Sequence, residues 1–232
     1  MLNKNQNVMD PQTFMKPAIA TILYQMLYDV QRILRHHGAD CVASGGTLLG
    51  AVRNGGIIPW DDDADVMVHR RARNRVKRAA PALERCGYEL HKTFFGFKVC
   101  LASRKRIPGY EWSWPFVDIF FHFERDDGRT VLMYKEARDM WPNDYYLPGE
   151  FYPLREVPFH GMTIKVPNKP RPYLSRMYGR DWATVGYRMY DHSKEEGLGE
   201  KETRKLKLTK RDLQPAKPSR AIVKRRCLPR ET

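Results

Sequence analysis

Residues 44–68 read SGGTLLGAVRNGGIIPWDDDADVMV, and the order of their parts decides the fold. Ser44-Gly45-Gly46-Thr47 is a glycine turn. TLLGAV, residues 47–52, has the composition of a short helix with Thr47 near its start, and Asn54-Gly55-Gly56 breaks it. After Ile57-Ile58-Pro59-Trp60 comes the acidic run Asp61-Asp62-Asp63-Ala64-Asp65, whose second half alternates through Val66-Met67-Val68 as a strand does. In a strand, residues two apart share a face, so Asp63, Asp65 and Met67 lie on one side and Ala64, Val66 and Val68 on the other. Carboxylates held side by side repel one another unless a cation lies between them, which makes a divalent ion the natural occupant. Mg²⁺ suits all-oxygen ligands and usually also holds substrate phosphates. A calcium loop does not fit: counted from Asp61, Val66 falls where glycine is required and Ala72 where the bidentate Glu belongs.

Upstream, Ile19, Ile22, Leu23, Met26, Leu27, Val30, Ile33 and Leu34 recur at three- and four-residue steps, which predicts an amphipathic helix over residues 17–37 closed by Gly38. A short strand over 40–43 then runs into the glycine turn. Downstream, residues 70–85 hold helix formers and seven basic side chains and read as one helix ended by Gly87. Strands are expected at 88–90, 94–101 and 114–123, the last dense in aromatic and β-branched residues. Within it Asp118 stands between Val117 and Ile119, with Phe116, Phe120 and His122 on its own side. A lone Asp in so apolar a strand costs free energy unless paired, metal-bound or at the strand end, and it is the expected third ligand. His122 is a weaker candidate for proton transfer, since an isolated His in an aromatic strand is more often structural. Past Pro142 the chain is turn-rich, with short apolar runs at 151–152 and 162–164 and a helix expected over 171–178.

With 42% apolar and 29% charged residues, the 232-residue chain has the composition of a globular protein rather than a disordered one. Its length favours one domain with extensions: an N-terminal extension at 1–16, the main domain at 17–190, and a basic, poorly ordered tail at 191–232, where apolar residues thin out. No stretch has the roughly 20 consecutive apolar residues of a membrane span, and the opening MLNKNQNVMD is too polar for a signal peptide. A soluble, cytoplasmic protein is therefore expected, with a Golgi or secretory address only if the chain is truncated. The net charge of +14 is spread over body and tail, since residues 191–232 carry 13 Lys and Arg against 7 Asp and Glu. Cys41, Cys86, Cys100 and Cys227 show no C-x-x-C spacing and suggest neither zinc nor a disulfide framework.

The turn at Gly45-Gly46-Thr47 offers backbone N–H groups and a positive helix end to a phosphate, although a simple helix cap reads equally well. It is neither a Walker A loop nor a dinucleotide G-x-G-x-x-G motif. Arg53, farther along the helix, is placed to add a phosphate contact. The aromatic block Tyr110-Glu111-Trp112-Ser113-Trp114-Pro115 is a candidate for stacking a base or sugar ring, with core packing as its plainer reading.

Taken together, residues 44–68 resemble the core motif of the LicD/fukutin-related family. The shared features are the Gly-Gly-Thr turn, the leucine pair, Gly50-Ala51-Val52-Arg53 and the Pro-Trp-Asp-x-Asp-x-Asp run. The likeness extends through the preceding helix and residues 116–120, and more loosely through 164–167 and 178–182. The resemblance implies an α/β nucleotidyltransferase-type fold, a mixed β-sheet packed by helices, with adjacent strands carrying the metal-binding carboxylates. It also implies transfer of a phosphorylated alcohol, such as phosphocholine or ribitol phosphate, from a CDP-activated donor onto a glycan. Carried over, Asp63, Asp65 and Asp118 are the catalytic residues and the ligands of Mg²⁺ or Mn²⁺. Gly45, Gly46, Thr47, Arg53 and Asp61 line the donor phosphates. Two other functions compete. One is a nucleotidyltransferase that moves NMP from NTP to a small molecule, nucleic acid or protein. The other is a basic nucleic-acid-binding protein using Arg70, Arg71, Arg73, Arg75, Lys77 and Arg78 with Lys224, Arg225 and Arg226. It carries less weight because charge runs are usually solvated faces.

Overall fold

The computed structural model describes residues 14–187, 190–198, 206–225 and 227–228. The first helix, α1 (Pro17–His36), begins with proline at its N-terminal turn, where the missing N–H costs nothing, and ends with Arg35 and His36 against its negative end. Its apolar stripe packs on the sheet, with Leu23, Tyr24, Met26, Leu27, Val30, Ile33 and Leu34 fully buried. Removing each such side chain from water contributes about 1.5–3 kcal/mol. Gly38 follows at φ +71°, the left-handed conformation that turns the chain into the sheet.

The main sheet has seven strands: β1 (Cys41–Ala43), β2 (Ala64–His69), β3 (Tyr88–Lys92), β4 (Gly96–Leu101), β5 (Phe116–Glu124), β6 (Thr130–Leu132) and β7 (Tyr145–Tyr146). Their order is β1-β2-β5-β4-β3, with β6 and β7 continuing beside the end of β5. β2 and β5 run parallel while the other neighbours are antiparallel, so the sheet is mixed as expected. The long connection from β2 to β5 is what a parallel pair demands. β5 lies between β2 and β4 and is buried along nearly its whole length, which explains its almost unbroken apolar sequence.

Between β1 and β2 lies α2 (Gly45–Arg53), which starts at the glycines themselves, two residues earlier than the sequence suggests. The single helix expected over 70–85 is instead a 3₁₀ turn (Arg70–Ala72), α3 (Arg73–Arg78) and α4 (Ala80–Arg85). Pro81 accounts for the break: it has no N–H to donate, and its ring tolerates only the first turn of a helix. α5 (Lys135–Met140) was not foreseen, and α6 (Pro170–Tyr178) was. A hairpin of β8 (Arg155–Phe159) and β9 (Met162–Val166) packs beside β1, and Phe151 and Tyr152 are not strand.

Beyond residue 180 the chain forms small two-stranded pairs: β10 (Val185–Gly186) with β13 (Leu206–Lys207), and β11 (Tyr190–Asp191) with β12 (Glu196–Gly197). Some described residues of this stretch bond to the body of the domain. Ala216 N–H donates to Ile57 O at 2.8 Å, and Asn54 Nδ2 donates to Asp212 O at 2.9 Å. Farther on, the chain lies along α1. Ser219 N–H donates to Thr21 Oγ1 at 2.8 Å, Val223 N–H donates to Gln25 Oε1 at 2.9 Å, and Arg225 pairs with Asp29 at 3.1 Å. Thr21, Gln25 and Asp29 are four residues apart and so form one ridge of the helix. This strap ends in a disulfide between Cys227 and Cys86, a bond that the cysteine spacing did not suggest, while Cys41 and Cys100 remain free. Polar side chains satisfied by a helix face carry no apolar signal, so composition alone did not reveal these contacts.

Candidate active site

The register of β2 and β5 builds the site. Asp65 and Asp118 are direct partners across the parallel pair, and Lys98 on β4 is the partner of Asp118 on its other side. Asp65, Asp118 and Lys98 therefore form one row on one face of the sheet. Asp63 reaches the same face from just before β2, and the ligand atoms of Asp63, Asp65 and Asp118 all lie within 4.8 Å of one another. These residues floor a cleft of about 760 Å³ whose walls carry aromatic side chains, among them Trp60, Phe94, Trp112, Trp141, Tyr178 and Trp182.

The glycine turn packs directly against the floor. Gly46 N–H donates to Asp65 Oδ2 at 3.1 Å, and Thr47 Oγ1 accepts the Asp65 N–H at 2.8 Å. A Cβ on Gly46 would collide with the Asp61 carboxylate. A Cβ on Gly45, which has φ +48°, would sit 2.5 Å from Asp65 Oδ2. The glycines thus let the positive end of α2 touch two carboxylates. Gly45, Gly46, Asp61 and Arg53, expected at the donor phosphates, line the cleft. Thr47 does not: it is buried, and its hydroxyl orients the start of β2. Arg53 Nε donates to Asn54 Oδ1 at 2.9 Å, and its Nη1 donates to the carbonyls of Trp182 and Val185 at 3.0 and 3.3 Å. Burial lowers its guanidinium to about 10, so it stays charged at neutral pH.

Burial also raises the acids. Asp63 and Asp65 lie well above the ordinary carboxylate range, from burial first and then from the neighbouring Asp charges. Asp61 is pushed up to about 7, chiefly by burial and then by Asp65. Asp118 is raised by burial while Lys98 opposes the shift. An all-oxygen set at this spacing whose members repel one another fits a divalent cation.

Three residues that the sequence did not single out complete the site. Lys98 is 3% exposed, donates to Asp118 Oδ2 at 3.2 Å, pairs with Glu195 at 3.2 Å and rests on the face of Phe116. Its signal was present in Gly96-Phe97-Lys98-Val99-Cys100, where a cation interrupts an apolar strand as Asp118 does. Glu195 and His192 come from the β11–β12 hairpin. Glu195 also accepts from Trp112 Nε1 at 2.6 Å. His192 Nδ1 lies 2.7 Å from Asp62 and its Nε2 lies 3.3 Å from Asp63. Burial alone would lower the His192 imidazole, yet Asp63, Asp62 and Asp61 outweigh it and raise the ring to about 10.

Of the aromatic block, Tyr110 and Trp112 line the cleft, whereas Trp114 packs on Cys100, Ile107 and Phe116. His122 is a core residue: it is 2% exposed against Phe151 and His69, and burial pushes it down to about 3. The basic side chains at 70–78 do not line the cleft. Most are exposed, Arg75 donates to Gly38 O, and Arg225 is spent on Asp29. Arg226 lies outside the described residues. Among the described residues, no helix is long and apolar enough to cross a membrane.

Residues 38–169 match the family model described as LicD/FKTN/FKRP, nucleotidyltransferase domain. An uncharacterized protein of Rickettsia typhi is 31% identical over 160 residues, covering 68% of this chain and 46% of its own length. The Ribitol 5-phosphate transferase FKRP of Homo sapiens is 28% identical over 155 residues, 63% of this chain and 29% of that protein. The Lipopolysaccharide cholinephosphotransferase LicD of Haemophilus influenzae is 69% identical over 26 residues, 11% of this chain and 10% of that protein. The chain spans about half the length of the rickettsial relatives it matches, 46% and 54%.

Proposed function

Because the chain belongs to the LicD/FKTN/FKRP nucleotidyltransferase domain family, we propose that it is a phosphotransferase working with a CDP-activated donor and a glycan acceptor. The group moved is a phosphorylated alcohol of the phosphocholine or ribitol phosphate kind. The observation that carries this reading is the row of Asp65 beside Asp118, with Asp63 in reach, on the floor of an aromatic-walled cleft. Asp63, Asp65 and Asp118 would hold Mg²⁺ or Mn²⁺, which supplies charge neutralisation at the donor's diphosphate.

The protein's own groups do the positioning on which phosphoryl transfer depends. Gly45 and Gly46 bring the start of α2 to the carboxylates and fix Asp65 through the Gly46 N–H. Lys98 holds the Asp118 carboxylate from the opposite strand. Arg53 adds a fixed positive charge to the wall. Aromatic side chains around the mouth offer flat apolar surface to a base or a sugar ring. In the reaction, an acceptor hydroxyl oxygen forms a new bond to the donor phosphorus bearing the alcohol. The bond from that phosphorus to the bridging oxygen breaks, CMP leaves, and the hydroxyl proton passes to an Asp118 carboxylate oxygen.

Titration calorimetry with CDP, CTP, GDP, UDP and ADP, with and without Mn²⁺, tests the reading. Cytidine nucleotides are expected to bind only with metal and only with Asp63 and Asp65 intact. Incubation with CDP-alcohols and glycans should release CMP. Release of pyrophosphate from CTP instead would identify an NMP transferase, and metal-independent binding unchanged in Asp63→Ala/Asp65→Ala would remove the site.

A further inference from the structure

Next to the carboxylate triad is a second cluster with different chemistry. Asp62, Asp63 and His192 also bring their ligand atoms within 4.8 Å of one another, and Asp63 belongs to both groups. The imidazole comes from a separate part of the chain, the β11–β12 hairpin, and lies outside residues 38–169 that match the family model. Its orientation is fixed on two sides, by Phe116 edge-on at 5.7 Å and by Tyr190 at 4.8 Å. A ring held this way, with each nitrogen facing a different carboxylate, is presented as ligand groups are when surrounding contacts set their direction.

We propose that Asp62, Asp63 and His192 form a second cation site that shares Asp63 with the Asp63–Asp65–Asp118 site. The proposal rests on the divalent-ion reading of that first site. Two carboxylates and an imidazole suit Mn²⁺ or Zn²⁺ better than Mg²⁺, which prefers an all-oxygen shell. Mg²⁺ would thus fill the first site and leave the second to the softer ion. On binding, the ion takes the place of the imidazole proton, which leaves to solvent. The β11–β12 hairpin would then be fastened to the sheet through a metal as well as through Glu195 and Lys98.

The test is Mn²⁺ stoichiometry on the full chain by equilibrium dialysis, with electron paramagnetic resonance to detect spin coupling between neighbouring ions. Wild type should bind two Mn²⁺ and give a coupled spectrum. His192→Gln and, independently, Asp62→Asn should each bind one and lose the coupling, with folding verified by circular dichroism. Asp65→Asn should likewise lose one ion, from the other site. One ion in wild type, kept in His192→Gln and lost in Asp65→Asn, would overturn the second site and leave the first standing. No bound ion in wild type would overturn both.

Discussion

Replacing Gly45 by alanine separates two roles of one glycine, with Gly55→Ala as the reference. Both glycines are left-handed, at φ +48° and +70°, so each substitution carries a backbone cost of about 1–2 kcal/mol. At Gly55 a Cβ meets nothing within 4 Å, so the backbone term is the whole cost. At Gly45 the Cβ sits 2.5 Å from Asp65 Oδ2 and 3.0 Å from its Cγ, so the carboxylate has to move. Moving it gives up the hydrogen bond from Gly46 N–H, and a bond to a charged group is worth about 1.5–3 kcal/mol. The expected destabilisation is about 1–2 kcal/mol for Gly55→Ala and about 2.5–5 kcal/mol for Gly45→Ala. At about 2–4 °C per kcal/mol for a chain of this size, thermal unfolding resolves the two. Repeating the melts with Mn²⁺ isolates the site. Saturation at a hundred times Kd stabilises the native state by about 2.7 kcal/mol, which wild type and Gly55→Ala should both show and Gly45→Ala should largely lose. If Gly45→Ala gains the full Mn²⁺ shift, the glycine does not position Asp65 and the argument for the turn fails.

Lys98→Met should cost about 3–5 kcal/mol in chemical denaturation, because it leaves Asp118 and Glu195 buried without their cation; a loss under 1 kcal/mol would show that the pair is solvated. Asp144, in the cleft wall, is raised to about 7 by burial, with Tyr173 donating to it. Its unfolded value is about 3.9, so the folded state holds the extra proton between these values and stability from this group falls as pH rises from about 4 to about 7. Asp144→Asn should therefore flatten that part of the stability curve and stabilise the protein above pH 7, by at most about 4 kcal/mol; parallel curves for the two proteins would contradict the assignment. Cys227→Ser opens a link between residues 141 apart and should cost about 2–4 kcal/mol under oxidising conditions and nothing after reduction. An equal difference in both buffers would mean that packing, rather than the bond, is lost.

Legibility in the sequence followed a physical rule. Asp63, Asp65 and Asp118 stood out because a carboxylate inside an alternating apolar strand conflicts with its surroundings, and the structure brings those three together. Lys98 breaks β4 in the same manner and went unread because a single lysine is usually a surface residue. His192 and Glu195 carried no such signal, since their segment is polar throughout and only tertiary contact brings it to the floor. The strap along α1 was hidden for the same reason, and the Cys86–Cys227 pairing cannot be read from spacing. The 70–85 helix was overextended because its helix-forming composition outweighed Pro81, a residue whose effect is local and steric.

The row of Asp65, Asp118 and Lys98 also bears on how such a chain can change over generations. Its three members are set by backbone pairing between strands, so their relative positions do not depend on the number of residues that separate them along the chain. The segment between β2 and β4, including α3, α4 and the exposed arginines, can lengthen or shorten without moving one charge relative to another. A single residue added or lost inside β5 ahead of Asp118 is different in kind, because it turns that carboxylate to the opposite face. Length variation among descendants of this sequence should therefore accumulate in the connections and stop abruptly at the strand ends.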